Sequence, residues 1–236
     1  MMKVLRALSN EAAFGILGGL GAIKIGGHFV YTTGQHSTHY FDKHALYANT
    51  IHTSNFCGEL AKYFRDDGVE VVLGPALGGI VIAQWIAYHL ENYNAQDVLA
   101  VFAEKFRPMN VEDLERKLKD WIKVPEDLRI PRELERHVAG KRVLIVDNII
   151  TTGNTIRKVI ERTRSIGGEV IGVGTIMTNG HATENDLSVP KLVPLLNFPA
   201  PIWEEEECAR NGPCSQGIPI NTGVGKGAEF LMRRDV

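Results

Sequence analysis

Apolar and polar positions along the chain change period repeatedly, and the changes predict strands and helices in alternation. Residues 69–73 and 98–103 are short apolar runs, and Val143, Leu144, Ile145 and Val146 are apolar in succession. Runs without polar interruption suit strands buried on both faces of a parallel sheet. Residues 170–177 read as the next such strand. Between these runs the spacing becomes helical. Phe56, Leu60 and Phe64 form one stripe within 54–67, residues 80–90 return as a helix, and Ile156, Val159, Ile160, Thr163 and Ile166 mark the face of another. Asp67-Gly68 closes the first of these helices, and Gly167-Gly168 ends the last as a C-terminal cap does. Residues 1–25 read as a short helix with Asn10 as a candidate N-cap. Residues 28–41 alternate aromatic and polar side chains around Gly34, which predicts strands joined by a tight turn. A long charged stretch, 104–141, contains an added helix at 111–123 with Leu114, Leu118, Trp121 and Ile122 on one face. Its Lys117, Lys119, Lys123 and the later Arg129 are expected to be solvated.

Strands alternating with helices define an α/β fold, a parallel sheet flanked by crossover helices, and ligands of such sheets bind beyond the carboxyl ends of the strands. A chain of 236 residues can bury a proper core for one domain of this kind. A net charge of −2 and a pI near 6.5 give no footprint for nucleic acid. An apolar, glycine-rich stretch at 12–25 follows Lys3 and Arg6, but Gly18, Gly19, Gly21 and Lys24 interrupt it. No run approaches the ~20 apolar residues of a membrane span. Cys57, Cys208 and Cys214 are too few for a disulfide framework and fit a reducing cytoplasm.

The candidate chemistry starts at RVLIVDNIITTGNT, residues 142–155. Asp147 stands where the buried strand emerges, and Thr151, Thr152, Gly153, Asn154 and Thr155 form a hydroxyl-rich turn into the next helix. Such a turn aims backbone N–H groups and hydroxyls at one phosphate, whose charge the helix N-terminus favours. With a carboxylate beside it to accept from hydroxyls, the arrangement suits a sugar phosphate. A second loop, GPALGG at 74–79, leaves backbone amides unshielded for a diphosphate. Lys105, just after a predicted strand end, can bind phosphate oxygens as a point charge. All three should meet at one edge of the sheet.

These segments resemble those of the type I phosphoribosyltransferases, and most closely the orotate subgroup. Residues 142–155 are similar to the family's phosphoribosyl-pyrophosphate signature, a hydrophobic strand, two acids, two apolar positions and Thr-Thr-Gly-x-Ser/Thr. FAEKFR at 102–107 resembles the subgroup's AEK segment, and HFVYTTGQHSTHYFDK at 28–43 its HFxxxSGxHSxxYFDK stretch. The resemblance covers about residues 15–225. It implies a Rossmann-like sheet with a small N-terminal hood, in one domain over 1–236: helix and hood at 1–50, α/β core at 51–190, tail at 191–236. It implies that Thr151–Thr155 hold the 5-phosphate, that Asp147 with Asn148 holds the ribose hydroxyls, and that Ala76, Leu77, Gly78, Gly79 and Lys105 take the pyrophosphate, Arg107 being a further candidate. Lys43 would approach a phosphate, and Tyr40, Phe41 and Asn179 would meet the base. The implied donor is phosphoribosyl pyrophosphate with Mg²⁺, held through pyrophosphate and water with no protein-held metal; the acceptor is a nucleobase, orotate by overall likeness. The implied assembly is a cytoplasmic homodimer.

The chain departs from that pattern in three places. Asn148 replaces the second acid, removing a charge that would stabilise a cationic transition state. Asn179 stands where the orotate subgroup carries an arginine for the substrate carboxylate. The stretch around 111–123 replaces a short, basic, mobile catalytic loop. Two other readings therefore stand beside orotate transfer: the same donor with another base, or a non-catalytic protein that binds phosphoribosyl pyrophosphate or a nucleotide. The tail pair Cys208 and Cys214 resembles a CPxCxxGxP segment of the subgroup, with five residues rather than two between the cysteines. With no His pair next to them in sequence, they read as structural thiols rather than zinc ligands.

Overall fold

A computed structural model describes residues 8–106, 127–180 and 182–234. The chain divides into two compact units, Met1–His52 with Leu196–Val236, and Thr53–Leu195. The C-terminal tail thus belongs with the N-terminal segment.

The larger unit is built on a six-stranded sheet of β3 (Val71–Pro75), β4 (Leu99–Phe106), β5 (Asp127–Arg129), β6 (Arg142–Ile150), β7 (Glu169–Thr178) and β8 (Leu192–Asn197), in the order β5-β4-β3-β6-β7-β8. β3 pairs in parallel with β4 and β6, and β6 with β7, while β5 is antiparallel to β4. The apolar runs are buried as their composition requires: Val71 to Leu73 and Val143 to Val146 are all fully covered. Alternation sends Val71, Leu73, Val143 and Ile145 to one face, where they pack with Ile156, Val159 and Ile160 of helix α6 (Asn154–Ser165). On the other face Gly172 and Gly174 admit the rings and branches of helix α3 (Thr50–Lys62) and the turn after it. A Cβ on Gly172 would fall 2.8 Å from Phe64, and one on Gly174 3.2 Å from Leu60. Helix α4 (Gly78–Asn94) buries Ile82, Ile86 and Leu90 and packs along β3, β4 and β6. Truncating any of these fully buried leucines or isoleucines to alanine costs about 2–5 kcal/mol. A parallel sheet with helices on both faces is the fold expected from the alternating pattern.

The smaller unit carries helix α1 (Asn10–Gly19), the antiparallel hairpin β1 (Ile23–Val30) and β2 (His36–Phe41), helix α2 (Lys43–Tyr47), strand β9 (Ile202–Trp203), helix α8 (Glu205–Asn211) and helix α9 (Gly227–Arg234). Short helices α5 (Arg132–Glu135) and α7 (Glu184–Leu187) belong to the larger unit. Helix α1 is shorter than the sequence suggests. Its N-cap is Ser9, whose hydroxyl accepts from the Ala12 N–H at 3.2 Å, with Asn10 already inside the helix. Gly21, at φ +71°, turns the chain so that residues from Ile23 enter the hairpin. The glutamates at 204–207 are exposed, and Glu205, Glu206 and Glu207 lie in the first turn of α8, where the helix dipole favours negative charge.

The helix expected at 111–123, with Lys117, Lys119, Trp121 and Lys123, lies outside the described residues, as does Arg107. Arg129 is partly engaged rather than simply solvated. Its guanidinium donates to Glu104 at 2.8 Å and lies 4.6 Å over the Phe106 ring.

Candidate active site

Parallel pairing brings the candidate residues of the larger unit to one edge. Pro75 of β3 is level with Ala103 of β4, and Leu73 with Ile145 of β6, so Asp147 comes two residues further along at the height of Pro75. Ala76 then donates its N–H to the Ala103 carbonyl at 2.6 Å, which binds the loop after β3 to the neighbouring strand. The Ala76–Leu77 peptide bond is cis. Leu77 is largely exposed, whereas Gly78 and Gly79 are buried at the start of α4. The glycines here are a packing requirement. A Cβ on Gly74 would lie 2.1 Å from the Gly79 carbonyl oxygen, and one on Gly79 would lie 2.6 Å from Pro75 Cδ. The loop therefore folds back on its own backbone, as a bed for a small anion needs.

Beyond β6 the turn forms a cleft of ≈ 50 Å³ lined by Asp147, Ile149, Ile150, Thr151, Thr152, Gly153, Asn154, Thr155 and Ile156. A single water needs roughly 10–15 Å³ on this measure, so the cleft has room for one phosphate-sized group. Gly153 is the N-cap of α6 at φ +76°, a conformation that glycine adopts without cost. The first N–H groups of α6 have no carbonyl of their own helix to meet, and that of Asn154 donates to Thr152 Oγ1 at 3.5 Å. Asn154 is less available than the sequence implies, because its Oδ1 accepts from Arg157 at 2.6 Å. Arg157 is a cation that the sequence reading passed over. Its guanidinium would lie 3.7 Å from a Cβ on Gly153, and it also donates to the Asp186 carbonyl at 3.2 Å. The signal was present in its position, four residues after Gly153 in the first turn of the helix.

Asp147 is half-buried, and one carboxylate oxygen accepts from the Asn148 N–H at 2.8 Å. Asn148 is itself buried at 5 % exposure. Lys105 is exposed and lies at the same end of the sheet, but within β4 rather than after it. The reason is β5, which pairs antiparallel with residues 104–106, sets Lys105 opposite Leu128, and extends β4 past the end of β3. Asn179 follows β7 and is 3 % exposed. Neither its Oδ1 nor its Nδ2 meets a hydrogen-bond partner among the described residues. A buried amide in that condition forgoes about 1–3 kcal/mol, a cost that a bound polar group would remove.

The remaining candidates belong to the smaller unit. Tyr40 packs with Phe29 at 5.5 Å and Tyr31 at 6.3 Å between ring centroids, and Phe41 is buried. Burial, reinforced by the Asp42 carboxylate, raises the Tyr40 phenol above its ordinary value, so it is a neutral hydroxyl near neutral pH. Lys43 is the first residue of α2, whose N-cap Asp42 accepts from the His44 N–H at 3.1 Å.

The 74–79 loop, the 151–155 turn and the Asp147 carboxylate lie at one edge of the sheet. Residues 42–208 match the phosphoribosyl transferase domain family, and the chain belongs to that family. The orotate phosphoribosyltransferase of Caldanaerobacter subterraneus subsp. tengcongensis is 34% identical to it over 82% of this chain and 86% of that protein. The orotate phosphoribosyltransferase of Desulforamulus reducens is 30% identical over 90% of this chain and 95% of that protein. The crystal structure of a phosphoribosyltransferase from Corynebacterium diphtheriae shares the fold with a TM-score of 0.57 at 18% identity, covering 80% of this chain and 95% of that one. The chain is a pentosyltransferase, and phosphoribosyl transfer is its activity.

Proposed function

We propose that this enzyme transfers ribose 5-phosphate from phosphoribosyl pyrophosphate to a ring nitrogen of orotate, forming orotidine 5′-monophosphate and releasing pyrophosphate. The observation that carries the reading is the convergence of the 74–79 loop and the 147–155 turn on one sheet edge. Thr151 to Thr155 take the 5-phosphate through N–H and hydroxyl donors, with the positive end of α6 behind them. Asp147 accepts from the ribose hydroxyls. Ala76, Leu77, Gly78 and Gly79 take the diphosphate with backbone amides, and Lys105 adds a charge. As the bond from the ribose anomeric carbon to the pyrophosphate oxygen breaks, its pair of electrons leaves with pyrophosphate, and the ring nitrogen forms the new bond with its lone pair and releases its proton to water or to the departing pyrophosphate. The ribose is cationic in between, and the Asp147 carboxylate stabilises it.

Residues 76–79 offer no carboxylate side chain, which fits a Mg²⁺ ion held by the diphosphate and water rather than by that loop. Such an ion supplies neutralisation of the leaving group's charge. Tyr40, Phe41 and Asn179 are the candidates for the base and Lys43 for a phosphate. None of the three cysteines is in a disulfide, which suits a cytoplasmic enzyme. A homodimer is the assembly this reading expects, and sedimentation of the purified chain tests it.

Asn179 favours a second reading in which the acceptor base carries no carboxylate, because a neutral amide cannot pair with one as an arginine does. Incubation with phosphoribosyl pyrophosphate, Mg²⁺ and single bases, followed by chromatography of the nucleotide products, separates the two. Orotidine 5′-monophosphate supports the first reading. A nucleotide formed only from another base replaces it with the second.

A further inference from the structure

The smaller unit brings together two pairs of side chains that are far apart in sequence. His28 lies on β1 and His36 on β2, and the pairing of Val30 with His36 places both on the same face of the hairpin, on a diagonal. Cys208 is on α8, and Cys214 follows that helix. The ligand atoms of all four lie within 4.8 Å of one another. Among the described residues this is where His, Cys, Asp and Glu side chains converge closely enough to hold a metal ion.

We propose that His28, His36, Cys208 and Cys214 form a structural zinc site that pins the C-terminal segment to the β1–β2 hairpin. Two imidazoles and two thiols with no carboxylate are a donor set for Zn²⁺, which binds it as a closed tetrahedron. The spacing agrees. With Zn–S of about 2.3 Å and Zn–N of about 2.05 Å, a tetrahedral angle sets sulfur and nitrogen about 3.6 Å apart. Cys214 Sγ lies 3.6 Å from His28 Nε2 and 3.5 Å from His36 Nδ1, and Cys208 Sγ lies 3.8 Å from His28 Nε2. The two imidazole nitrogens are closer, at 2.7 Å, against about 3.3 Å across a tetrahedron, so one ring swings outward by roughly half an ångström as the ion enters.

The surroundings prepare these atoms for a metal. His28 Nδ1 lies 2.8 Å from the Ile218 carbonyl, which can only accept, so Nδ1 carries the proton and Nε2 presents its lone pair to the cluster. The Cys214 N–H donates to Cys208 Sγ at 3.3 Å, an interaction that favours a thiolate. A Cβ on Gly212 would fall 2.9 Å from Cys208 Cα and 3.0 Å from its Sγ, so the turn that brings the second cysteine round needs glycine. His28, His36 and Cys208 are buried at 1 % exposure or less, and the Phe230 ring packs edge-on against His36 at 4.8 Å. Binding exchanges Zn²⁺ for the protons of the two thiols, with no change of oxidation state. The sequence hides this site because each pair offers half a ligand set, and the halves are 172 or more positions apart (208 − 36 = 172).

The test uses the full chain, untagged and kept reduced. Elemental analysis should find about one zinc per chain, retained by Cys57→Ser and lost from Cys208→Ser and from Cys214→Ser. Titrating the stripped wild-type chain with Co²⁺ should give intense tetrahedral ligand-field bands with thiolate-to-cobalt charge transfer, which added Zn²⁺ abolishes. The cobalt spectrum decides even if the serine variants fail to fold. A wild-type chain that carries no zinc and gives only a weak, octahedral cobalt spectrum overturns the proposal, as does full zinc retention in both serine variants.

Discussion

Replacing Gly153 by alanine perturbs the phosphate turn at one point. Gly153 has φ +76°, and an L-residue in that region costs roughly 1–2 kcal/mol. A Cβ there would lie 3.1 Å from Leu187 Cδ2 and 3.6 Å from Ala182 Cβ, a contact that a small shift of Leu187 relieves. For a chain of this size the backbone cost lowers the melting temperature by about 2–8 °C. The effect on the donor should be larger. In the proposed function the turn aims N–H groups at a charged phosphate, each such bond being worth about 1.5–3 kcal/mol, so mis-aiming one should weaken phosphoribosyl pyrophosphate binding about 10- to 100-fold. Gly167→Ala is the matched control. It has φ +86°, and its Cβ would meet nothing closer than the Gly140 nitrogen at 3.9 Å. It sits at the other end of α6, about 18 Å away for a helix of this length. Melting curves and calorimetric titration with Mg²⁺–phosphoribosyl pyrophosphate should show similar stability losses and a donor-affinity loss in Gly153→Ala alone. Equal donor affinity in the two variants would refute the placement of the 5-phosphate on this turn.

Other consequences can be measured separately. Asn148→Asp restores a charge beside the cationic ribose and should raise kcat about tenfold or more, while the buried, like-charged neighbour of Asp147 lowers the melting temperature. Steady-state kinetics with unchanged or lower kcat would remove the electrostatic role given to this position. Gly74→Ala forces a Cβ to within 2.1 Å of the Gly79 carbonyl and should cost about 1–3 kcal/mol together with most donor affinity. Gly15→Ala in α1, where the added atom meets nothing within 4 Å, should leave both intact. Burial holds His89 below its ordinary pKa, so the folded state prefers the neutral ring. The unfolded chain therefore takes up the proton first, and stability falls as pH drops through about 6.5 towards the lower folded value. Urea midpoints of wild type should decline more steeply from about pH 7.5 to 5 than those of His89→Gln; identical slopes would contradict this.

Much of the fold was legible because burial writes itself into composition. The run at 143–146 can be satisfied only as a strand covered on both faces, and Ile156, Val159 and Ile160 only as one side of a helix. The cleft was legible where local backbone makes it, as at 151–155. It was less so where tertiary context decides. Lys105 lies inside β4 because a strand more than twenty residues later pairs with it, and no local signal announces β5. Arg157 reads as an ordinary helical cation until the turn folds back beside it. The His28, His36, Cys208 and Cys214 cluster was invisible because the pairs meet only once the tail joins the hairpin.

The central claim is best tested by the rate of pyrophosphate release from phosphoribosyl pyrophosphate and Mg²⁺, with and without orotate, in wild type and Asp147→Ala. The account predicts release that requires the base and falls at least about a hundredfold in the variant, as expected on losing one transition-state contact of about 3 kcal/mol. Release that ignores the base, or that survives the loss of Asp147 unchanged, would contradict it.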